Sequence, residues 1–211
     1  MFTGIVEERG ELARVTPHAK GVRFEVRASF AAKPGEVAVG DSIAVNGCCL
    51  TVVTIADGCL GFDLLEETQR VTNLRGLAPG GVLNLERSLR YDGRIGGHFV
   101  SGHVDTTGEV AILEPRGADV YLRVKVSEPF RHYLVPKGSI AVDGISLTVA
   151  EVHADGFAVW LIPHTLAITT LGVYRAGAFV NLEFDMLAKL VERILEGKRD
   201  ASAAGYQPAE R

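Results

Sequence analysis

Apolar positions in this chain come in short runs rich in Val, Ile, Leu and Thr, cut by Gly or Asp-Gly turns such as Asp57-Gly58 and Asp155-Gly156. Runs of that length with that punctuation predict strands at residues 2 to 8, 10 to 16, 21 to 27, 42 to 45, 48 to 56, 60 to 65 and 82 to 87, with counterparts one repeat later. The repeat is read directly from the residues. Val45-Asn46-Gly47-Cys48-Cys49-Leu50-Thr51-Val52 lies over Val142-Asp143-Gly144-Ile145-Ser146-Leu147-Thr148-Val149, an offset of 97 (142 minus 45). The same offset carries Ser42 onto Ser139, Thr68 onto Thr165, Leu74 onto Leu171 and Asn84-Leu85-Glu86 onto Asn181-Leu182-Glu183, and a one-residue slip carries Gly4 onto Gly102 and Gly10 onto Gly108. A boundary at Gly96-Gly97 follows, separating residues 1–97 from 98–185. Six or so short antiparallel strands in each half predict a small closed barrel, because closure removes exposed sheet edges.

The C-terminal end breaks this pattern. Met186, Leu187, Leu190, Val191, Ile194 and Leu195 recur at helical spacing and predict a helix over 186–198 with one apolar stripe and no counterpart in the first half. Such a stripe packs on its own barrel or on copies of itself in an oligomer. Residues 199–211 read as a flexible tail.

Composition changes this picture only by exclusion. Hydrophobic residues make up 47% and charged residues 23% of 211, which is the balance of a chain that folds. With 22 basic against 26 acidic residues the formal charge is −4, so neither nucleic acid nor an anionic membrane surface is an expected partner. The opening Met1-Phe2-Thr3-Gly4-Ile5-Val6-Glu7-Glu8 lacks a basic n-region before an apolar stretch, and no run of 18 apolar residues occurs, so a cytoplasmic location is expected. Three cysteines, at 48, 49 and 59, form no C-x-x-C pair and have no His partners at zinc spacing, so free thiols are expected.

Candidate chemistry concentrates where the halves match. Alternation puts Cys49 and Thr51 on one strand face, and likewise Ser146 and Thr148, so each half offers two small polar groups pointing together. A pocket lined by hydroxyls, a thiol and free backbone groups suits a planar heteroaromatic ligand with amide edges, although small polar side chains can also simply fill a narrow barrel. Leu64-Leu65-Glu66-Glu67-Thr68 matches Leu161-Ile162-Pro163-His164-Thr165, a strand running into a helical turn with Thr68 and Thr165 as N-cap candidates. His98 and His103 lie five apart, a spacing that sends them to opposite faces of a regular strand, and this argues against a shared metal. No H-E-x-x-H, Walker A or G-x-G-x-x-G sequence occurs, which removes the common zinc, phosphate and Rossmann readings. His103 stands where the first half has Ile5, and it breaks the repeat at a pocket-forming segment.

These residues resemble riboflavin synthase, the family that dismutates two molecules of 6,7-dimethyl-8-ribityllumazine to riboflavin and 5-amino-6-(D-ribitylamino)uracil. The resemblance is carried by the first eight residues, by 46–52, Gly96–Val104, 143–149 and 161–165. It implies a mainly β fold of two similar six-stranded antiparallel Greek-key barrels followed by a C-terminal α-helix that holds a homotrimer. It also implies an active site shared between the first barrel of one chain and the second barrel of another, with no cofactor. Carried over by motif, the first site uses Gly4, Ile5, Val6, Cys48, Cys49, Leu50, Thr51 and the stretch Asp63, Leu64, Leu65, Glu66, Glu67, Thr68. The second uses Gly102, His103, Val104, Lys137, Ser146, Leu147, Thr148 and Leu161, Ile162, Pro163, His164, Thr165. Ser42 and Asp185 match positions important for activity in the family. No residue singled out here speaks for a complex with lumazine synthase.

Two like molecules must meet different fates, one donating four carbons and one accepting them. The sequence breaks its own symmetry at Cys49 versus Ser146, Asn46 versus Asp143 and Ile5 versus His103. His103 is the titrating candidate for the base that takes the acidic 7-methyl proton, with water or a ribityl hydroxyl as substitutes. Cys49 either adds to C7 of the ring or only hydrogen-bonds it. The rival class is a non-catalytic lumazine- or flavin-binding antenna protein, which tends to lose motifs in one half, whereas here Thr51/Thr148, Thr68/Thr165 and Ser146 are all present.

Overall fold

The computed structural model describes residues 1–18 and 21–203, with side chains up to residue 197. In the first half, β1 (Glu8–His18), β2 (Gly21–Arg27), β3 (Ser42–Val45), β4 (Cys48–Ala56), β5 (Cys59–Leu65) and β6 (Val82–Arg87) close into a barrel in the order β1-β2-β5-β4-β3-β6. Alternation drives the closure. Phe24 and Val26 on β2, Leu50 and Val52 on β4, and Leu60, Phe62 and Leu64 on β5 point inward to one buried core, while the residues between them face out. Bulges between Leu12 and Arg14 and between Val52 and Thr54 supply the extra coiling a six-stranded closure needs. A short helix, α1 (Glu66–Val71), bridges β5 to β6.

The second half repeats the plan with one change. Its strands are β7 (Thr106–Arg116), β8 (Asp119–Lys125), β9 (Ser139–Val142), β10 (Ile145–Thr148), β11 (Glu151–His153), β12 (Gly156–Leu161) and β13 (Phe179–Phe184), with α2 (Pro163–Ile168) before β13. The counterpart of β4 is broken at Val149-Ala150 into β10 and β11. The ladder therefore runs β10-β9-β13-β7-β8-β12-β11, a curled seven-stranded half-barrel in place of the expected closed six-stranded one. Its core of Val110, Leu122, Val124, Val142, Phe157, Val159 and Leu182 is as fully buried as the first.

The expected strand over residues 2 to 8 does not form. Residues 1–7 lie outside any strand, and Phe2 makes a single bridge with Val100, its own counterpart: Phe2 N donates to Val100 O at 2.7 Å and Val100 N to Phe2 O at 3.1 Å. Phe2, Val100, Ala44 and Ala141 form a small core between the barrels. Beside it a buried polar network joins the halves crosswise. Asn84 Nδ2 donates to Asp143 O at 3.0 Å and to Thr170 Oγ1 at 2.9 Å, while Asn181 Nδ2 donates to Asn46 O at 2.8 Å. Each half thus satisfies backbone groups that the other buries.

The terminal helix, α3 (Met186–Ala203), runs past the expected end at 198, and the rest of the expected tail, 204–211, lies outside the described residues. Asp185 opens it, its Oδ1 accepting from Leu187 N at 3.0 Å. Leu187, Leu190, Val191, Ile194 and Leu195 are all at least half exposed. Among the described residues no helix is long and apolar enough to cross a membrane.

Candidate functional site

The site begins with the outward face of β4. Cys48 and Leu50 turn into the barrel core, so Cys49 and Thr51 face out, with Ala44 and Ser42 opposite them on β3. Pairing of β4 with β5 starts only at Val52↔Phe62, so the start of β4 and the end of β5 have no ladder between them. The second half opens in the same way, since β10 pairs only with β9 and β11 with β12. Each opening exposes backbone groups and small polar side chains beside a helical turn.

What approaches each opening is a segment from the other half. Cys49 N donates to Gly102 O at 2.8 Å, and Ser146 N donates to Gly4 O at 2.8 Å. Val6 packs into the second core and Val104 against the first. The expected grouping, Gly4-Ile5-Val6 with Cys49 and Gly102-His103-Val104 with Ser146, is therefore reversed. The two lead-in segments cross at the Phe2–Val100 bridge and exchange barrels. Glycine is required at both landing points. Gly4 has φ +76° and a Cβ there would lie 2.6 Å from Ser146 Cβ; Gly102 has φ +83° and a Cβ would lie 2.6 Å from Cys49 Cβ.

Two buried glutamates fix the crossing. Glu86 accepts from Thr3 N at 2.7 Å, Thr3 Oγ1 at 3.0 Å and Gly4 N at 3.0 Å. Glu183 accepts from Ser101 N at 2.6 Å, Ser101 Oγ at 2.8 Å and Gly102 N at 2.9 Å. Burial pushes the Glu86 carboxyl above its usual range, against the pull of these donors. Asp143, wholly buried, is pushed up to about 7 by desolvation, although Tyr174 OH at 2.7 Å, Asn181 N at 2.7 Å and Asn73 Nδ2 at 2.9 Å all donate to it. Its counterpart Asn46 faces a half where Leu77 replaces Tyr174, and Asn46 Nδ2 is buried without a partner.

The remaining expected residues divide by side-chain direction. Val6, Cys48, Leu50, Leu64 and Leu161 are buried in the barrel cores, so these positions offer a ligand main-chain atoms only, and burial pushes the Cys48 thiol up to about 12. Ile5, Thr51, Leu65, Glu66, Glu67, His103, Thr148, Ile162, Pro163 and His164 are exposed, and Cys49, Thr68, Val104, Ser146, Leu147 and Thr165 are half-buried around the two openings. Lys137 is exposed at φ +66°, where the first half has Gly40 at φ +98°. Thr68 and Thr165 are not N-caps. Leu65 and Ile162 hold those positions without side-chain bonds, and the carbonyls of Thr68 and Thr165 instead accept from Thr72 Oγ1 at 2.7 Å and Thr169 Oγ1 at 2.6 Å. Ser42 borders an open groove of about 670 Å³ that Ile5, Glu86, Arg87 and Gly96 also line.

Two residues outside the expected set, His98 and Trp160, stand at the openings. His98 Nδ1 lies 2.7 Å from Ser146 Oγ, and burial pulls its pKa below the usual value. Asp63, beside the first opening, is held by Arg23 through two bonds of 2.6 and 2.9 Å, whereas its counterpart Trp160 is 44% exposed and set edge-on to Tyr121 at 5.2 Å. The offset of 97 picks out Trp160; His98, at the head of the second copy, has no counterpart to reveal it. Among the described residues no group of three or more His, Cys, Asp or Glu is arranged to hold a metal ion.

Comparison with known proteins gives a consistent picture. The lumazine binding domain family matches this chain twice, over residues 3–88 and 101–185. The riboflavin synthase of Mycobacterium tuberculosis (strain ATCC 25618 / H37Rv) is 46% identical over 199 residues, covering 92% of this chain and 98% of that protein. That of Actinobacillus pleuropneumoniae is 42% identical, covering 92% and 90%, and that of Escherichia coli (strain K12) is 40% identical, covering 95% and 96%. Among solved structures, LumP complexed with riboflavin superposes with a TM-score of 0.79 at 25% identity, covering 87% of this chain and 99% of that one.

Proposed function

The chain belongs to the riboflavin synthase family, with its lumazine binding domain present twice, and from that premise we propose that it converts two molecules of 6,7-dimethyl-8-ribityllumazine to riboflavin and 5-amino-6-(D-ribitylamino)uracil. The observation that carries this reading is the pair of outward openings, each edged by a half-buried Cys49 or Ser146 and an exposed Thr51 or Thr148, and each completed by a segment from the other half. Two like openings suit two like substrates. Because the openings face outward, a second copy of the chain can bring a first-barrel site against a second-barrel site, and the exposed apolar face of α3 supports a homotrimer as the assembly that does so.

Four carbons leave one lumazine and join the other, and the atoms of two substrates equal those of the two products. The exchange therefore needs no outside oxidant or reductant. Holding two ring systems face to face supplies much of the rate. Removing a proton from the 7-methyl group needs a base, and two histidines are the candidates: exposed His103, next to the Gly102 whose carbonyl accepts from Cys49 N, and His98, against Ser146. Burial favours the neutral imidazole of His98, the form that accepts a proton from the Ser146 hydroxyl or through it. Free thiols at 48, 49 and 59 suit a reducing cytoplasm.

The direct test is incubation of the purified protein with the lumazine, without metal or nucleotide, following riboflavin absorbance. Riboflavin formation is expected; tight binding with no product would overturn the enzyme in favour of the antenna reading. A Cys49→Ser variant with near wild-type turnover would reject covalent addition by Cys49.

A further inference from the structure

We infer that Lys189, on the first turn of α3, is a positioning residue for the first site, so that the C-terminal helix holds in place the segment that completes that site; the inference rests on the functional reading above. Residues 101–105 leave the second barrel, touch the first at Cys49 and return, and two points tie them to β13 and α3. At one, Glu183 takes three hydrogen bonds from Ser101 and Gly102. At the other, Asp105 N donates to Leu182 O at 2.9 Å, and the Asp105 carboxylate accepts from Phe184 N at 2.9 Å and from Lys189 Nζ at 2.7 Å on both oxygens. His103 and Val104 sit between these clamps. The Lys189–Asp105 pair is about four-fifths buried, which makes it stiffer than a surface pair and costly to break on one side.

The first half has no such dependence. The residue matching Asp105 is Glu7, whose carboxylate accepts from Arg87 N at 2.7 Å and Arg87 Nε at 2.8 Å, both on β6 of its own barrel. The segment that completes the second site is therefore fixed without α3, and the segment that completes the first site is fixed through it. Tyr133 OH and His132 Nε2 (at 2.8 Å) hold Glu192 one turn further along, attaching the helix to the second barrel without touching Asp105.

Lys189→Met should weaken the riboflavin-binding class that Thr51→Val also weakens, by about tenfold, and leave unchanged the class that Thr148→Val weakens. Lys189→Arg should restore binding, and Glu192→Gln should leave both classes as in wild type. Amide hydrogen exchange, which needs no ligand, should speed up over residues 101–105 in Lys189→Met and not in Glu192→Gln. Wild-type affinity in both classes with unchanged exchange would overturn the inference. Equal weakening of both classes, or the same pattern in Glu192→Gln, would reduce the pair to general support and overturn it too. A wild-type chain that binds in neither class would instead sink the functional reading, with the exchange data still deciding whether Lys189 orders the segment.

Discussion

The two halves of this chain share a plan and differ where it matters for chemistry. The first barrel closes through an unbroken β4, and the second leaves its ladder open at Val149-Ala150. Scaffold positions match: Glu86 and Glu183 clamp the lead-in segments, and Asn84 and Asn181 cross the interface with the same geometry. The mismatched positions gather at the openings and beside the network: Cys49 against Ser146, the Asp63–Arg23 pair against Trp160 on Tyr121, Gly40 against Lys137, Asn46 against Asp143. Keeping the frame and changing the edges is how two similar sites can hold the same molecule in unequal states.

The harshest way to break the comparison is Glu183→Ala. It strips acceptors from two main-chain donors and one hydroxyl, and should cost about 3–5 kcal/mol in urea unfolding, with Glu86→Ala close behind. Near-neutral unfolding energies would remove the clamps from the account.

Asp143 sharpens it. The folded pKa near 7 lies above the unfolded value near 3.9, so the folded chain holds this proton more tightly. The associated stability is whole below about pH 4 and is lost as pH rises through about 7. Relative to Asp143→Asn, wild type should therefore lose on the order of a few kcal/mol between those limits, read as the difference between two unfolding series. A difference that stays flat with pH would contradict it.

Smaller effects follow at the second opening. His98→Asn should lower kcat roughly ten- to a hundredfold and alter the pH profile, with less effect on KM. Trp160→Asp, which installs the first half's residue, should weaken one riboflavin class by about 1 kcal/mol and spare the other, as seen by titration.

Much of this architecture is legible in the sequence. Period-two alternation with Gly punctuation locates nearly every strand, and the repeat of 97 locates both openings. The exchange of lead-in segments is not legible, because periodicity reports which face a residue takes and not which barrel receives it. Val6 and Val104 read as apolar in either partner. Thr68 and Thr165 look like caps on composition alone, yet Leu65 and Ile162 already occupy the cap geometry one turn earlier. The break in the second barrel turns on Val149-Ala150 against Val52-Val53, too slight a difference for propensity to register.

The crossing of the two segments is tested most directly by riboflavin titration of Gly4→Ala and Gly102→Ala, since each added methyl meets one opening and not the other. Gly4→Ala should lose the class that Thr148→Val weakens, and Gly102→Ala the class that Thr51→Val weakens. If Gly4→Ala instead loses the Thr51 class, each segment serves its own barrel and the exchange is wrong.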